Sequence, residues 1–419
     1  MWLLTNISEL VTIAGADGGA KRGAAMNQLR VLRNSAMVFD THIRWIGSTE
    51  EALEGLRQDL WDDVEVVDCE QRAVIPGFVD SHTHIVFAGN RTDEFVRRLR
   101  GVSYLEIAAE GGGILRTMEA VRQASVEELV AHSLPRVWNA IRWGTTALEI
   151  KSGYGLSVEA ELKQLRAIRA LQQQVPVEIF ATFLGAHDFP PEYRSDRQRY
   201  IELICEEMIP QVAEEGLAQF CDVFVDEGYY TPAEAERILE VAQQHGLKIK
   251  LHADEFANTG AAELAARFSA VSADHLLQIS DRGIKALKKS GTVATVLPGT
   301  SYFLRMPYAA ARKLIDAGLP VALATDCNPG SSFTENMQLM LSMACTQMRM
   351  TVEEALTAAT LNGAAAVDAA DRMGSLEVGK EANFLVLDVP QAAEMIYHFG
   401  VNHVQQVWIR GQRVVHNGC

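Results

Sequence analysis

Residues 74–84 read VIPGFVDSHTH, an apolar run that stops at Asp80 and delivers two histidines, His82 and His84, on either side of Thr83. A short apolar run closed by polar residues is the pattern of a buried strand whose far end is left for chemistry. Because side chains alternate along a strand, residues i and i+2 face the same way, so the two imidazoles are expected to point together. The same design recurs in TTALEIKSGYG, VEIFATFLGAH, FCDVFVDEG, KIKLHADE, AVSADHLL, TVATVLPG and PVALATDCNPG, giving eight candidate strands. Between them, SVEAELKQLRAIRALQQQ and TPAEAERILEVAQQHG carry the apolar spacing of amphipathic helices, with Ser157 and Thr231 placed to cap them. Eight strand-then-helix units predict an α/β fold, a closed parallel (β/α)8 barrel of the TIM type, over residues 77–373. Such barrels keep their chemistry at the C-terminal ends of the strands, and His82, His84, Tyr154, His187, His252, His275 and Asp326 all follow an apolar run.

The two ends of the chain read differently. Residues 1–76, with SAMVFDTHIRWIGS, and residues 374–419, with EANFLVLDV and VQQVWIRGQRVVHNG, alternate strand-forming and polar residues between turn formers. A small composite β-sandwich domain built from both termini is expected. At 419 residues the chain exceeds the size at which one core stops growing, which agrees with a large and a small unit. No solenoid-length repeat or low-complexity segment interrupts this plan.

A formal charge of −16 excludes non-specific attraction to nucleic acid or to an anionic membrane surface, both of which need a basic face. Six cysteines, at positions 69, 205, 221, 327, 345 and 419, form no CxxC pair, which points to reduced thiols and a cytoplasmic setting. The first residues have no basic stretch followed by an apolar one, and no apolar run reaches 18 residues, so neither a signal peptide nor a membrane span is expected.

An HxH pair alone is weak, since an exposed turn produces it as readily. His252 at the end of another strand and Asp326 at the end of the last make four potential ligands at one rim. Three imidazoles and a carboxylate suit Zn²⁺ or Fe²⁺, whereas Ca²⁺ and Mg²⁺ prefer oxygen-only shells. The same set accepts either ion. Glu255, three residues after His252, is placed to move a proton between water and a leaving nitrogen, or else is an acid at a helix N-terminus. His275 in SADHLL is placed to hydrogen-bond a hydroxide or a developing oxyanion, or is a satisfied core histidine. Lys151, counted on the third strand with the fourth ending in LGAH, is read as a structural or supporting cation, which makes the centre mononuclear.

The segments PGFVDSHTHIVFAGNRTDEF, EIKSGYGL, TFLGAHDFPPEY, HADEF, SADHL and ATDCNPGSS, in this order over nearly the whole chain, resemble the imidazolonepropionases of the amidohydrolase superfamily. The resemblance implies hydrolysis of the ring amide of 4-imidazolone-5-propanoate to N-formimino-L-glutamate, in histidine degradation. It implies one metal on His82, His84, His252 and Asp326, and substrate contacts from Arg91, Tyr154, His187, Glu255, Asn328, Gly330 and Ser331. Such a substrate is anionic, and Arg91 with Tyr154 can hold its propionate while the DCNPGSS loop offers backbone N–H groups. Asp326 is expected to take the water proton, Glu255 to serve the leaving nitrogen, and His275 to stabilise the oxyanion. A cytosine-type deaminase would use the same rim but needs no carboxylate clamp, and ammonia release separates the two. A non-catalytic assembly protein on the same barrel should lack the ligands. A homodimer is expected, as closed two-fold assemblies are the commonest.

Overall fold

The computed structural model describes all residues except 16–18, 59–62, 103–105, 108–109 and 418–419, so Cys419 lies outside the described residues. Eight strands form a parallel sheet in which each pairs with the next: β6 (Phe78–Asp80), β7 (Thr145–Lys151), β8 (Glu178–Ala186), β9 (Phe220–Val225), β10 (Lys248–Ala253), β11 (Ser272–His275), β12 (Val293–Val296) and β13 (Val321–Leu323). Their near-continuous apolar character follows from burial on both faces, inside against the barrel filling and outside against helices. The seam between first and last strands lies beyond β6 and β13. Asp326 N–H donates to His82 O at 3.0 Å and His84 N–H to Cys327 O at 2.9 Å, around the parallel bridge Thr83–Cys327. Asp80 tightens it by accepting from Thr325 N at 2.9 Å and Thr325 Oγ1 at 2.6 Å. The bonds that close the barrel are thus made by the backbone of the residues whose side chains form its rim.

The connecting helices start where the sequence signals them. Ser157 accepts from Ala160 N ahead of the helix Val158–Gln172, and Thr231 with Glu234 makes a reciprocal cap for Pro232–Gln244. The latter helix buries Ala235, Ile238, Leu239 and Ala242, a one-sided stripe against the strands. No helix among the described residues is long and apolar enough to cross a membrane.

Both termini contribute to one mixed sheet, made of β1 (Trp2–Val11), β2 (Val31–Phe39), β3 (Ile43–Ser48), β4 (Glu65–Asp68), β5 (Ala73–Pro76), β14 (Phe384–Leu387), β15 (Val404–Ile409) and β16 (Gln412–His416). The order is β16-β15-β14-β5-β1-β2-β3, with β4 also on β1. In a flat sheet β2 and β15 would lie roughly 19 Å apart, four spacings of about 4.8 Å. Yet the Phe39 and Trp408 rings meet at 5.3 Å, and Phe39 meets Phe384 at 5.0 Å. The sheet therefore folds over on itself around an aromatic core, giving the sandwich-like packing from a single strand path.

One expectation is corrected. Lys151 ends the second barrel strand, β7, and LGAH the third, β8. The run 73–80 holds two strands of different sheets, β5 and β6, divided at Gly77, and only β6 belongs to the barrel.

Candidate metal centre and active site

His82 and His84 stand on the extension of β6, and His252 is the last residue but one of β10, which ends at Ala253. Ligand atoms of these three buried imidazoles all lie within 4.8 Å of one another. Asp326, three residues beyond the end of β13 at Leu323 and in a left-handed conformation with φ of 52°, turns its carboxylate into the group. Its Oδ1 is 3.5 Å from His82 Nε2 and 3.6 Å from His84 Nε2, and its Oδ2 accepts from Thr300 Oγ1 at 2.5 Å.

The imidazoles are backed by carboxylates from neighbouring strands. His82 Nδ1 is 2.6 Å from Asp274 Oδ2, and His252 Nδ1 is 3.0 Å from Asp222 Oδ2, whose other oxygen accepts the His252 backbone N–H at 3.0 Å. Below them Lys151 Nζ bridges Glu149 at 2.7 Å and Asp222 at 2.8 Å, with Asp274 at 3.7 Å. Lys250 Nζ caps the backbone carbonyls of Ser81 and Ala366 and is 3.7 Å from Glu149. Burial depresses Lys151, but Asp222, Glu149 and Asp274 outweigh it and hold the ammonium charged. Asp222 is likewise kept ionised, its burial overcome by His252 and Lys151. So Lys151 belongs to the charged floor of the barrel and touches no cavity wall.

Burial, the Lys151 charge and the neighbouring rings push His82 and His84 far below the usual histidine range, so both are neutral. With the His82 Nδ1 proton directed to Asp274, its Nε2 presents a lone pair that finds no hydrogen-bond donor and faces the Asp326 carboxylate. Lone pair against lone pair in a dry interior is unfavourable without a cation between them. Burial pushes Asp326 up to about 6 and Asp80 up to about 7, and burial with the neighbouring Asp326 and Asp226 pushes Glu255 far above the carboxylate range. Neutral imidazoles, an orphaned nitrogen and an uncompensated carboxylate fit a divalent metal ion.

Above the ligands opens a cavity of about 870 Å³. Its wall includes every substrate residue expected from the sequence: Arg91, Tyr154, His187, Glu255, Asn328, Gly330 and Ser331, together with His275. Glu255 Oε2 is 3.6 Å from His275 Nδ1, and Asp226 holds the turn that carries Glu255 by accepting from the N–H groups of Glu255, Phe256 and Ala257 at 2.7, 2.8 and 3.0 Å. His187 stacks on His84 at 5.1 Å, and its Nδ1 meets Gly153 O at 2.9 Å, so the ring keeps Nε2 as an acceptor. Burial and His252 lower His187 to about 3, which keeps it neutral. Arg91 Nε pairs with Glu94 at 2.7 Å, and its Nη1 lies where a side chain at position 330 would begin, 2.3 Å from that ideal Cβ position.

The loop after β13 departs from expectation. The N–H groups of Gly330 and Ser331 both donate to Asn328 Oδ1 at 2.8 Å, so they brace the loop instead of standing ready for an anion. Several contributors were missed from sequence. Asp222 and Asp274 are single acids inside apolar strands, and nothing in a linear pattern links them to histidines. Arg98 also went unnoticed: it lies over Phe303 at 5.0 Å, donates to Gly330 O at 3.2 Å and lines the cavity. The exposed-looking spacing of RTDEFVRRLR disguised it.

Residues 73–414 match the model of the amidohydrolase family. An imidazolonepropionase of Alkaliphilus oremlandii is 46% identical, covering 100% of this chain and 98% of its own length. An imidazolonepropionase of Porphyromonas gingivalis strain W83 is 46% identical, over 99% and 97%. Among solved structures, guanine deaminase of E. coli superposes with a TM-score of 0.74 at 16% identity, covering 99% of both chains. An adenosine deaminase of Xanthomonas campestris with bound zinc gives 0.72 at 20%, covering 99% and 93%. At such identities the two structures speak for the fold alone.

Proposed function

The chain belongs to the amidohydrolase family, and from that premise we propose how its rim residues carry out the hydrolysis that its full-length relatives are named for. It hydrolyses the ring amide of 4-imidazolone-5-propanoate, giving N-formimino-L-glutamate, in histidine degradation. The observation that carries the mechanism is the convergence of His82, His84, His252 and Asp326 beneath a cavity whose wall holds Arg91 and Tyr154.

His82, His84, His252 and Asp326 would hold one divalent ion, Zn²⁺ or Fe²⁺. When bound, such an ion supplies a nucleophilic water at neutral pH and polarises the carbonyl. Arg91 and Tyr154 receive the propionate, the guanidinium as a fixed fork and the phenol as a donor. His187 accepts from a ring N–H through Nε2. Asp326 takes a proton from the attacking water as its oxygen joins the ring carbonyl carbon. His275 steadies the charge that grows on the carbonyl oxygen. The ring C–N bond then breaks, and Glu255, held protonated by its burial beside Asp326 and Asp226, gives the nitrogen its proton. Asn328 braces the Gly330–Ser331 turn that backs Arg91. A cytoplasmic homodimer completes the proposal, on the strength of the unpaired cysteine spacing and the prevalence of two-fold assemblies.

The test is incubation with freshly made imidazolone propionate. Loss of the ring's ultraviolet absorbance that a chelator abolishes supports the reading; release of ammonia from cytosine in its place would move the chain to the deaminases.

A further inference from the structure

The segment Gly153–Leu156 leaves β7 and runs through the protein interior without regular structure, yet it carries Tyr154 to the cavity wall. Backbone N–H groups buried in this way must find acceptors. All four do so on two side chains of one helix, Val158–Gln172. Glu161 Oε2 accepts from Gly153 N at 3.0 Å, and its Oε1 accepts from Gly155 N at 2.7 Å and Leu156 N at 2.8 Å. Gln164 Oε1 accepts from Tyr154 N at 3.1 Å, while its Nε2 donates to Val86 O at 2.6 Å. Glu161 and Gln164 are three apart, hence neighbours on one helix face, and both are fully buried.

The segment has no freedom to settle elsewhere. A Cβ at Gly155 would come within 2.5 Å of the Ala160 and Glu161 backbone, and Gly153, at φ of 107°, carries the carbonyl that meets His187 Nδ1. Tyr154 and His187, whose rings lie 5.4 Å apart, are therefore set by the same four peptide units. A carboxylate suits this task because it has acceptors only, and three N–H groups converge on it.

We propose that Glu161, supported by Gln164, is the positioning residue for the Tyr154–His187 wall of the substrate site, acting on substrate binding without touching substrate. This rests on the reading of Tyr154 as a carboxylate donor. Glu161→Gln keeps the shape but turns an NH₂ group toward a backbone donor, so at least one N–H of the segment loses its acceptor. The expected result is a KM for imidazolone propionate raised on the order of tenfold, with kcat changed by less than about twofold. In a Tyr154→Phe background the same substitution should raise KM by clearly less, because the Tyr154 hydroxyl, one of the two groups it positions, is gone. Gln164→Met, which orphans Tyr154 N–H, should raise KM in the same way and serves if Glu161→Gln does not fold. An unchanged KM in either folded variant overturns the proposal, as does an effect of Glu161→Gln that is undiminished beside Tyr154→Phe. Wild-type enzyme assayed in parallel keeps the two ideas apart: absence of its turnover strikes the proposed reaction, and normal wild-type turnover beside an unaltered variant KM strikes the role of Glu161.

Discussion

Substituting Gly330 by Ala tests the anion grip without removing a single charge. Gly330 is buried, and its φ lies outside the left-handed region, so alanine can take its backbone conformation. The added Cβ would stand 2.3 Å from Arg91 Nη1 and 3.0 Å from its Cζ, and only 3.5 Å from Asn328 Oδ1. The guanidinium is the far end of a flexible side chain, so it yields and the backbone does not. Once displaced, it no longer presents its fork where the Glu94 pair now fixes it. A charge-assisted hydrogen-bonded contact contributes about 1.5–3 kcal/mol, which corresponds to a loss of roughly 10- to 150-fold in substrate affinity. The assay is steady-state decay of imidazolone propionate absorbance, with Arg91→Ala as the upper bound and thermal unfolding as the control for fold. A higher KM with the unfolding midpoint retained is expected. A Gly330→Ala enzyme with wild-type KM would refute the assignment of Arg91 to the propionate.

Lys151→Met should destabilise the metal-free protein by about 3–5 kcal/mol, since Glu149 and Asp222 lose a buried counterion, and adding Glu149→Gln should cost less than the sum of the two singles; chemical unfolding of the chelated protein reads both. Asp274→Asn should weaken metal binding by about 10- to 100-fold through the orientation of His82, measured by competition with a chromogenic chelator. Phe39→Ala should cost about 3–5 kcal/mol in the terminal sheet, seen by calorimetry, because its ring joins β2 to β14 and β15.

The barrel was legible because burial on both faces makes each of its strands an apolar run, and because a polar residue must follow where the strand reaches the rim. VIPGFVDSHTH and KIKLHADE displayed both features. What the pattern hid were relations between distant segments. Asp222 and Asp274 look like solitary acids until their strands are laid side by side against His252 and His82. The folding over of the terminal sheet depends on which aromatic residues meet, Phe39 with Trp408, and not on where strands begin. For the loop after β13, turn formers announced a turn but not that Asn328 would consume its amides.

On the proposed mechanism His82, His84, His252 and Asp326 act as a single centre. Its most direct test is a titration: the protein is stripped by chelator, and Zn²⁺ or Fe²⁺ is returned in steps while imidazolone propionate decay is followed. Activity should be absent at the start and rise to a plateau at one ion per chain, with His252→Asn failing to recover. Full turnover by the stripped protein, or a plateau reached only at two ions per chain, would contradict the account.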